Sequence, residues 1–477
     1  MLFNSWVFVL FLLIVIPLYF SLRQPWQNRL LLAASYVFYG SWDYRFLSLL
    51  ATSTVVDYIC ALRIQGAAHR RQRLPFLLMS LVVNLGLLGF FKYFNFFVAS
   101  TAGLLEALGF QAHTPILNVI LPVGISFYTF QTMAYTIDVY RGKETATRDF
   151  SSFALYVSYF PQLVAGPIER PSHLLPQIQS PRRVTNWHVQ TALQLILMGY
   201  FKKVFVADSV APLVDRCFSD PSSGGSLTLL LGLYLFAIQI YGDFAGYTDI
   251  ARGVSRLLGI NLSVNFQQPY LSANITEFWR RWHISLSSWL RDYLYIPLGG
   301  NRRGRVRTYW NLMLTMLLGG LWHGAGWTFV IWGGLHGLYL SVHKMLSGGR
   351  KIGLSERPQT GGAWAVWAGQ VILTFHLVCL TWIFFRAPAL PGAMDYLRGI
   401  VALSGDSYGT LREYGVYCLV YGGAILGLDL LRWWSGQELP FTPACPTWVR
   451  GLAYATMIFL LSFVGAADAA PFIYFQF

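Results

Sequence analysis

Long apolar runs alternate with short polar connections along the whole chain. The clearest runs cover 5–20, 75–91, 227–241, 366–385 and 452–464. Each is close to the ~20 residues that an α-helix needs to cross the hydrocarbon core of a bilayer. Glycine and proline interrupt other apolar runs, and counting these as well gives roughly ten to twelve membrane segments. The pattern therefore predicts an all-α, polytopic membrane helix bundle.

One region departs from this simple alternation. Residues 241–308 interleave aromatic side chains with charged ones: Asp243, Asp249, Arg252, Arg256, Glu277, Arg280, Arg281, His283, Arg291 and Asp292. Polar groups at membrane depth are tolerated where protein buries them or where water fills a cavity. We expect re-entrant or interfacial helices here, lining a cavity. The rest of the pattern predicts one membrane domain over 1–477, with its catalytic core region at 241–345.

The amino-acid composition supports the membrane assignment and limits which binding partners are expected. The 477 residues are 55% hydrophobic and 12% charged, with a net charge of +14. Excess Lys and Arg is typical of the cytosolic loops of membrane proteins, so nucleic acid is not an expected partner. The five cysteines are scattered without metal-ligand spacing, and no metal site is expected.

The stretch 274–300 (NITEFWRRWHISLSSWLRDYLYIPLGG) is the first candidate for chemistry. Asn274 and Glu277 resemble a capping box, and Pro297 followed by two glycines ends the pattern. On one helix the side chains of Arg280, His283, Ser287 and Arg291 fall within about an 80° sector. Such a face suits an anionic substrate, with nearby cations keeping the imidazole neutral. The alternative is an interfacial helix whose arginines reach lipid headgroups.

A second candidate is 319–337 (GGLWHGAGWTFVIWGGLHG), which has two histidines and no acidic or basic residue besides them. On a regular helix His323 and His336 point about 140° apart, so they share a site only if the glycine-rich backbone breaks. Glycines beside His323 allow another backbone or a ligand to approach closely. His336 fits a packing role between helices.

Several long motifs in fixed order resemble the membrane-bound O-acyltransferase family, in particular its bacterial branch that O-acetylates exported polysaccharides such as alginate. The motifs are LPVGISFYTFQTMAYTIDVYRG (121–142), YFPQLVAGPIERP (159–171), YGDFAGYTDIARG (241–253), FWRRWHISLSSWLRDYLYIPLGGNRRG (278–304), GGLWHGAGWTFVIWGGLHG (319–337) and PFIYFQF (471–477).

This resemblance implies roles for individual residues. The family's near-invariant histidine, in its WHG motif, matches His323, and a second position that is commonly His or Asn matches His283. It also implies tilted helices around a funnel or tunnel that joins the two membrane faces. His323 would take the proton of an attacking hydroxyl, and His283 would orient the acceptor or polarise the carbonyl. Backbone N–H groups or indoles near Trp322 would stabilise the oxyanion.

Donor binding is the remaining part of the expected site. Arg302, Arg303, Arg305 and Arg307 would hold the phosphates of coenzyme A. Further candidates for substrate or donor binding are Arg280, Ser287, Arg291 and Trp322. The alternative for this arginine-rich loop is a topology signal. Acetyl-coenzyme A or another acyl thioester is expected as a substrate, with no tightly bound cofactor.

The hypothesis is an acetyltransferase in the cell (inner) membrane that moves acetyl groups from a cytosolic donor toward an exported polysaccharide. An SGNH-type acetyltransferase outside the cytoplasm would complete the transfer. An alginate-like polymer is the first choice of acceptor. Peptidoglycan O-acetylation and teichoic-acid D-alanylation are alternatives with the same fold. A transporter without catalysis is the rival from another class, although the sequence lacks the internal repeats typical of one.

Overall fold

All regular structure in the described part of the chain is helical. The computed structural model describes residues 1–111, 117, 119–348, 353–355, 357–441, 445–466 and 472–473. Within them, five stretches are long and apolar enough to cross a membrane: Gln24–Gly66, Arg70–Ala107, Ser226–Leu257, Gly361–Arg386 and Tyr408–Ser435. Trp6–Ser21 and Thr447–Phe463 are shorter apolar helices. The all-α polytopic class is confirmed, and the count of ten to twelve segments stays a prediction.

The chain groups into two compact units. The first contains 1–192 and 254–263, and the second contains 193–253 and 264–477. The predicted catalytic core region, 241–345, therefore belongs to the second unit except for 254–263. That the whole chain acts as one domain stays a prediction.

Among the described residues, nine α-helices lie wholly in the first unit: α1 (Trp6–Ser21), α2 (Gln24–Asp43), α3 (Leu47–Gly66), α4 (Arg70–Leu88), α5 (Phe94–Ala107), α6 (Ile125–Tyr140), α7 (Phe150–Ser158), α8 (Phe160–Leu163) and α9 (Pro171–Gln179). A fully buried carboxylate joins α3 to α4. Asp57 accepts hydrogen bonds from Ser80 Oγ (2.5 Å) and from Asn84 Nδ2 (2.8 and 3.0 Å). These bonds satisfy a polar group that would otherwise be costly to bury.

The GPIERP motif folds into a second buried polar contact of this unit. Glu169 is fully buried and accepts hydrogen bonds from Ser263 N (2.6 Å), Ser263 Oγ (3.1 Å) and His173 Nδ1 (2.6 Å). The hydrogen bond to Glu169 raises the pKa of half-buried His173. These contacts fix the loop at 260–263 against the start of α9.

The remaining helices are α10 (Asn186–Tyr200), α11 (Ser209–Ser219), α12 (Ser226–Leu257), α13 (Ile275–Arg281), α14 (Ile284–Leu290), α15 (Arg305–His323), α16 (Trp327–Leu346), α17 (Gly361–Arg386), α18 (Leu390–Val401), α19 (Tyr408–Tyr417), α20 (Gly423–Ser435) and α21 (Thr447–Phe463). They lie in the second unit, except that α10 begins and α12 ends in the first. Two π-helical stretches, Phe201–Asp208 and Arg291–Tyr295, follow α10 and α14.

Buried ion pairs tie the first of these π-helical stretches to α12. Lys202 Nζ lies 2.7 Å from Asp249 Oδ2, and Lys203 Nζ lies 2.8 Å from Asp208 and 2.7 Å from Asp243. Asp249 also lies 3.6 Å from Arg252. Both of these α12 carboxylates are therefore in ion pairs, in which lysines form the shortest contacts. Neutralising opposite charges in pairs reduces the cost of burying them.

The prediction of a single amphipathic helix over 274–300 is wrong. Asn274 caps α13 by accepting from Glu277 N (2.9 Å), as expected, but α13 ends at Arg281. His283 adopts a left-handed backbone conformation (φ +42°, ψ +55°) that starts α14 in a new direction. The predicted polar face of Arg280, His283, Ser287 and Arg291 is thereby split between separate segments. Helical spacing in the sequence could not reveal this break between α13 and α14.

The helices α15 and α16 approach each other through glycines. A Cβ atom built on Gly333 would lie 2.2 Å from Met316 O, and one on Gly320 would lie 2.2 Å from Phe329 O. The Gly324–Gly326 connection joins the two helices. Small residues permit such close backbone packing, which is a common basis for helix association in membranes.

We predict that Gly333→Ala destabilises the protein and that its neighbour Gly334→Ala does not. Alanine normally favours a helix over glycine by roughly 0.5–1 kcal/mol, but overpacking costs about 1–3 kcal/mol. A Cβ atom on Gly334 would meet only Leu317 Cδ2, at 3.5 Å. The melting temperature of purified protein in one detergent should fall for Gly333→Ala and stay level or rise for Gly334→Ala. Equal melting temperatures would show that the contact tolerates a methyl group.

Candidate active site

His323 is the last residue of α15 and lies among aromatic rings. Its imidazole centroid is 4.9 Å from the Trp332 ring, 5.0 Å from Trp322 and 5.4 Å from Phe385. The side chain is almost completely buried, at 3% exposure. Gly324 then ends the helix and leads into the connection to α16. A Cβ atom on Gly324 would lie 2.1 Å from the Phe329 ring, so the packing at this position requires glycine.

His283 is brought to the same place from a different part of the chain. Its ring centroid lies 6.3 Å from that of His323, 5.9 Å from Trp322 and 4.7 Å from Phe244 of α12. Phe472 packs on Phe244 at 5.6 Å. We call His283, His323, Trp322, Trp332, Phe385 and Phe244 the two-histidine cluster. The two residues that the sequence analysis selected as catalytic are therefore neighbours.

The extended segment before α13 holds His283 in position. Ile284 N donates to Asn265 O (2.9 Å), and Gln267 N donates to Arg281 O (2.9 Å). The side chain of Asn265 continues this contact, because its Oδ1 accepts from Ser285 N (3.2 Å) and Ser285 Oγ (2.9 Å). His283 Nδ1 lies 3.2 Å from the same oxygen.

These contacts define the tautomer of His283. Asn265 Oδ1 is the acceptor of the Ser285 backbone N–H, so His283 Nδ1 must be a donor toward it. The neutral ring then presents Nε2 as a hydrogen-bond acceptor. His283 lies outside the five candidate spans, and complete burial lowers its pKa to about 3. Burial, rather than the flanking arginines expected from sequence, keeps this imidazole neutral.

His336 lies next to the two-histidine cluster but has a different role. Trp279 Nε1 donates to its Nδ1 (3.2 Å), and its Nε2 pairs with Thr381 Oγ1 (3.0 Å). Both nitrogens therefore have protein partners. The Trp332 ring lies between the two α15–α16 histidines, 4.7 Å from His336 and 4.9 Å from His323. This arrangement agrees with the packing role expected for His336.

The other candidate residues around α13 and α14 are not gathered at His283. Arg280 is exposed, and exposed Arg291 pairs with its neighbour Asp292 at 2.7 Å. Ser287 Oγ donates to Trp282 O (3.2 Å) within the local turn. The predicted arrangement of an imidazole between two guanidinium groups is therefore wrong. Trp322, by contrast, is buried and contacts both histidines.

Arg302 and Arg303 are exposed and precede α15. A pocket of about 250 Å³ opens close to them, lined by Asn301, Gly304, Arg305, Thr308, Tyr309, Lys344, Met345 and Gly348. The cations that line this pocket are Arg305 and Lys344. The predicted arginine loop therefore adjoins a cavity with basic walls.

Four residues that shape the site had no role predicted from sequence: Asn265, Phe244, Trp332 and Phe385. Phe244 and Trp332 occur within the motifs already noted, at 241–253 and 319–337, whereas Asn265 and Phe385 carried no distinguishing signal. Their importance arises from contacts between distant segments, which spacing along one helix does not encode.

Comparisons with known proteins identify the family. The model of the membrane-bound O-acyltransferase family matches residues 147–385. The probable alginate O-acetylase AlgI of Pseudomonas putida is 40% identical across 100% of both chains. The protein of the same name from Pseudomonas aeruginosa is 44% identical over 92% of this chain and 82% of its own. The peptidoglycan O-acetyltransferase of Helicobacter pylori is 38% identical over 85% and 81%, respectively.

The family match includes His283 and His323, and the relatives extend it to nearly the whole chain. The described residues also contain five apolar helical stretches that are long enough to cross a membrane. This chain is therefore a multi-pass membrane O-acyltransferase and belongs to the membrane-bound O-acyltransferase family.

Proposed function

We propose that this protein transfers acetyl groups from cytosolic acetyl-coenzyme A for the O-acetylation of an exported, alginate-like polysaccharide. The observation that carries the proposal is the 6.3 Å approach of the His283 and His323 rings within one aromatic cluster. The similarity to proteins named alginate O-acetylases supports the choice of acetyl group and polymer. A transporter without catalysis is set aside, because the family is one of acyltransferases.

His323 is the proposed general base. A neutral imidazole accepts the proton of the acceptor hydroxyl while the hydroxyl oxygen attacks the thioester carbonyl carbon. The aromatic surroundings of His323 limit competing attack by water, because apolar walls exclude it. At 3% exposure, the imidazole is reached by a substrate only if the surrounding rings of Trp322 or Phe385 move apart.

His283 is proposed to orient the acceptor rather than to polarise the carbonyl. The contact with Asn265 places its proton on Nδ1, so Nε2 can accept a hydrogen bond from the attacking hydroxyl. An Nε2 atom in this tautomer has no proton to donate to a carbonyl oxygen. Of the two roles that the family resemblance left open, this geometry favours the first.

Donor binding is proposed for the basic segment before α15. Arginine guanidinium groups bind phosphate oxygens well, and exposed Arg302 and Arg303 adjoin the pocket that contains Arg305 and Lys344. Arg280 and Arg291 remain proposals for contacts with donor phosphate or lipid headgroups at the surface. Ser287 and Trp322 remain donor-binding proposals as well, and Trp322 is the one that contacts both histidines.

We also propose a location and a partner. The protein would lie in the inner membrane, and an SGNH-type acetyltransferase outside the cytoplasm would complete transfer to the polymer. A second candidate acceptor is peptidoglycan, which the 38% identical relative from Helicobacter pylori favours. Protein in nanodiscs, labelled acetyl-coenzyme A and both polymers, assayed with and without the partner, would distinguish the acceptors. Labelling of peptidoglycan alone would replace alginate by the second candidate.

We predict that His323→Ala abolishes polymer acetylation, with a loss of at least about 10²-fold, because a general base contributes roughly 10²–10⁴-fold. Acetate transfer from labelled acetyl-coenzyme A measures the effect, normalised to folded protein. The matched control is His336→Ala, which removes an equally buried imidazole with structural partners. That variant should lose stability rather than activity. Wild-type acetylation by His323→Ala would reject the base assignment.

We predict that His283→Ala impairs acetylation strongly while acetyl-coenzyme A still binds. Asn265→Leu should lower activity in the same direction but by a smaller factor, because the imidazole remains while its tautomer is no longer fixed. Steady-state kinetics with labelled donor measures both. A loss in His283→Ala no larger than that in His336→Ala would leave His283 with a packing role only.

We predict that the double charge reversal Arg302→Glu with Arg303→Glu raises the KM for acetyl-coenzyme A about threefold to tenfold, since exposed charge contacts are individually weak. Exposed Arg412→Glu on α19 controls for the change in net charge. Altered membrane topology with an unchanged KM would instead identify Arg302 and Arg303 as topology signals.

A further inference from the structure

One buried indole in the two-histidine cluster and another next to it have N–H groups without a protein partner. Among the residues that the structure describes, Trp332 Nε1 and Trp382 Nε1 are buried and make no hydrogen bond. The side chains are 1% and 0% exposed. Trp279, by comparison, donates its indole N–H to His336. A buried tryptophan N–H usually finds a partner, so an unpaired one requires an explanation.

Of the two, Trp332 is the one in ring contact with His323. The rings are 4.9 Å apart with their planes at 85°, an edge-to-face arrangement. Trp382 stacks on Trp332, with ring centroids 5.9 Å apart and planes at 21°, and no ring contact joins it to His323 among those observed in the described residues. Trp332 therefore borders the atoms where the proposed reaction occurs.

The position of Trp332 is rigidly fixed by the backbone. Its neighbour Gly333 packs against Met316 O, and Gly320, three residues before His323, packs against Phe329 O and Gly333. These contacts fix the start of α16 against the end of α15, the helix that carries His323. A donor held in this way can be in place before charge develops, which is the requirement for electrostatic stabilisation of a transition state.

We propose that the Trp332 indole N–H donates a hydrogen bond to the acyl oxygen of the thioester as the tetrahedral intermediate forms. The proposal rests on the acyl transfer at His323 set out above. A neutral indole suits this role because it donates a hydrogen bond and keeps its proton throughout the reaction. The bound substrate would supply the partner that the protein does not.

The acceptor oxygen forms a bond to the carbonyl carbon, its proton passes to His323, and the carbonyl π electrons move to oxygen, which the Trp332 N–H stabilises. When the intermediate collapses, those electrons re-form the carbonyl and the carbon–sulfur bond breaks. The leaving thiolate takes the proton from His323, so ester and thiol are the products.

The test removes the N–H and keeps the ring. Trp332 is replaced by 3-benzothienylalanine, in which sulfur stands in the place of the indole N–H, and the same replacement at Trp382 is the matched control. At position 332, kcat with labelled acetyl-coenzyme A should fall about 10²–10³-fold, the usual effect of removing one oxyanion donor, while KM changes less than about threefold. At position 382, kcat should change less than about threefold.

The variants Trp332→Phe and Trp382→Phe repeat the comparison with ordinary residues, and their melting temperatures report packing losses. Equal kcat losses at both positions, or full kcat at position 332, would overturn the proposal. These outcomes are separable from a failure of the proposed function: His323→Ala would remain inactive if only the Trp332 role is wrong, but would be active if His323 is not the base.

Discussion

The backbone contact between α15 and α16 is the constraint on which the site depends. His323 occupies the last position of one helix, and Trp332 lies in the second turn of the next. Glycines at 320 and 333 let the two helices meet without intervening side chains. In a bilayer, packing of this kind supplies the association energy that apolar side chains cannot gain from lipid. The distance between base and indole is therefore set by main-chain geometry.

Several charged groups in both units are buried together with partners that offset the cost of burying them. Asp57 receives hydroxyl and amide donors, Glu169 receives His173 and Ser263, and the carboxylates of α12 meet lysines. The same rule explains why His336, with both nitrogens bonded, is structural. The Trp332 N–H is one of the buried polar groups without a protein partner among the described residues, and its ring contact with His323 is what makes it a candidate for contact with substrate.

Much of the architecture could be predicted from the sequence, since apolar runs and motifs carry local information. The helical class, the Asn274 cap and the closeness of His283 to His323 follow from such signals. The orientation of His283 does not, because 3.6-residue periodicity assumes a continuous helix, whereas α13 ends at Arg281 and α14 begins only after His283. The role of Asn265 was equally hidden, because it depends on an extended segment pairing with 281–285.

The left-handed backbone at His283 has a consequence for how this position can vary. Its φ of +42° is a conformation that most side chains avoid, and asparagine is, with aspartate and histidine, among the non-glycine residues that adopt it most readily. Asparagine can also present a side-chain oxygen as a hydrogen-bond acceptor. The two amino acids that the family resemblance implies for this position, histidine and asparagine, are thus those that satisfy one main-chain demand and one chemical demand together.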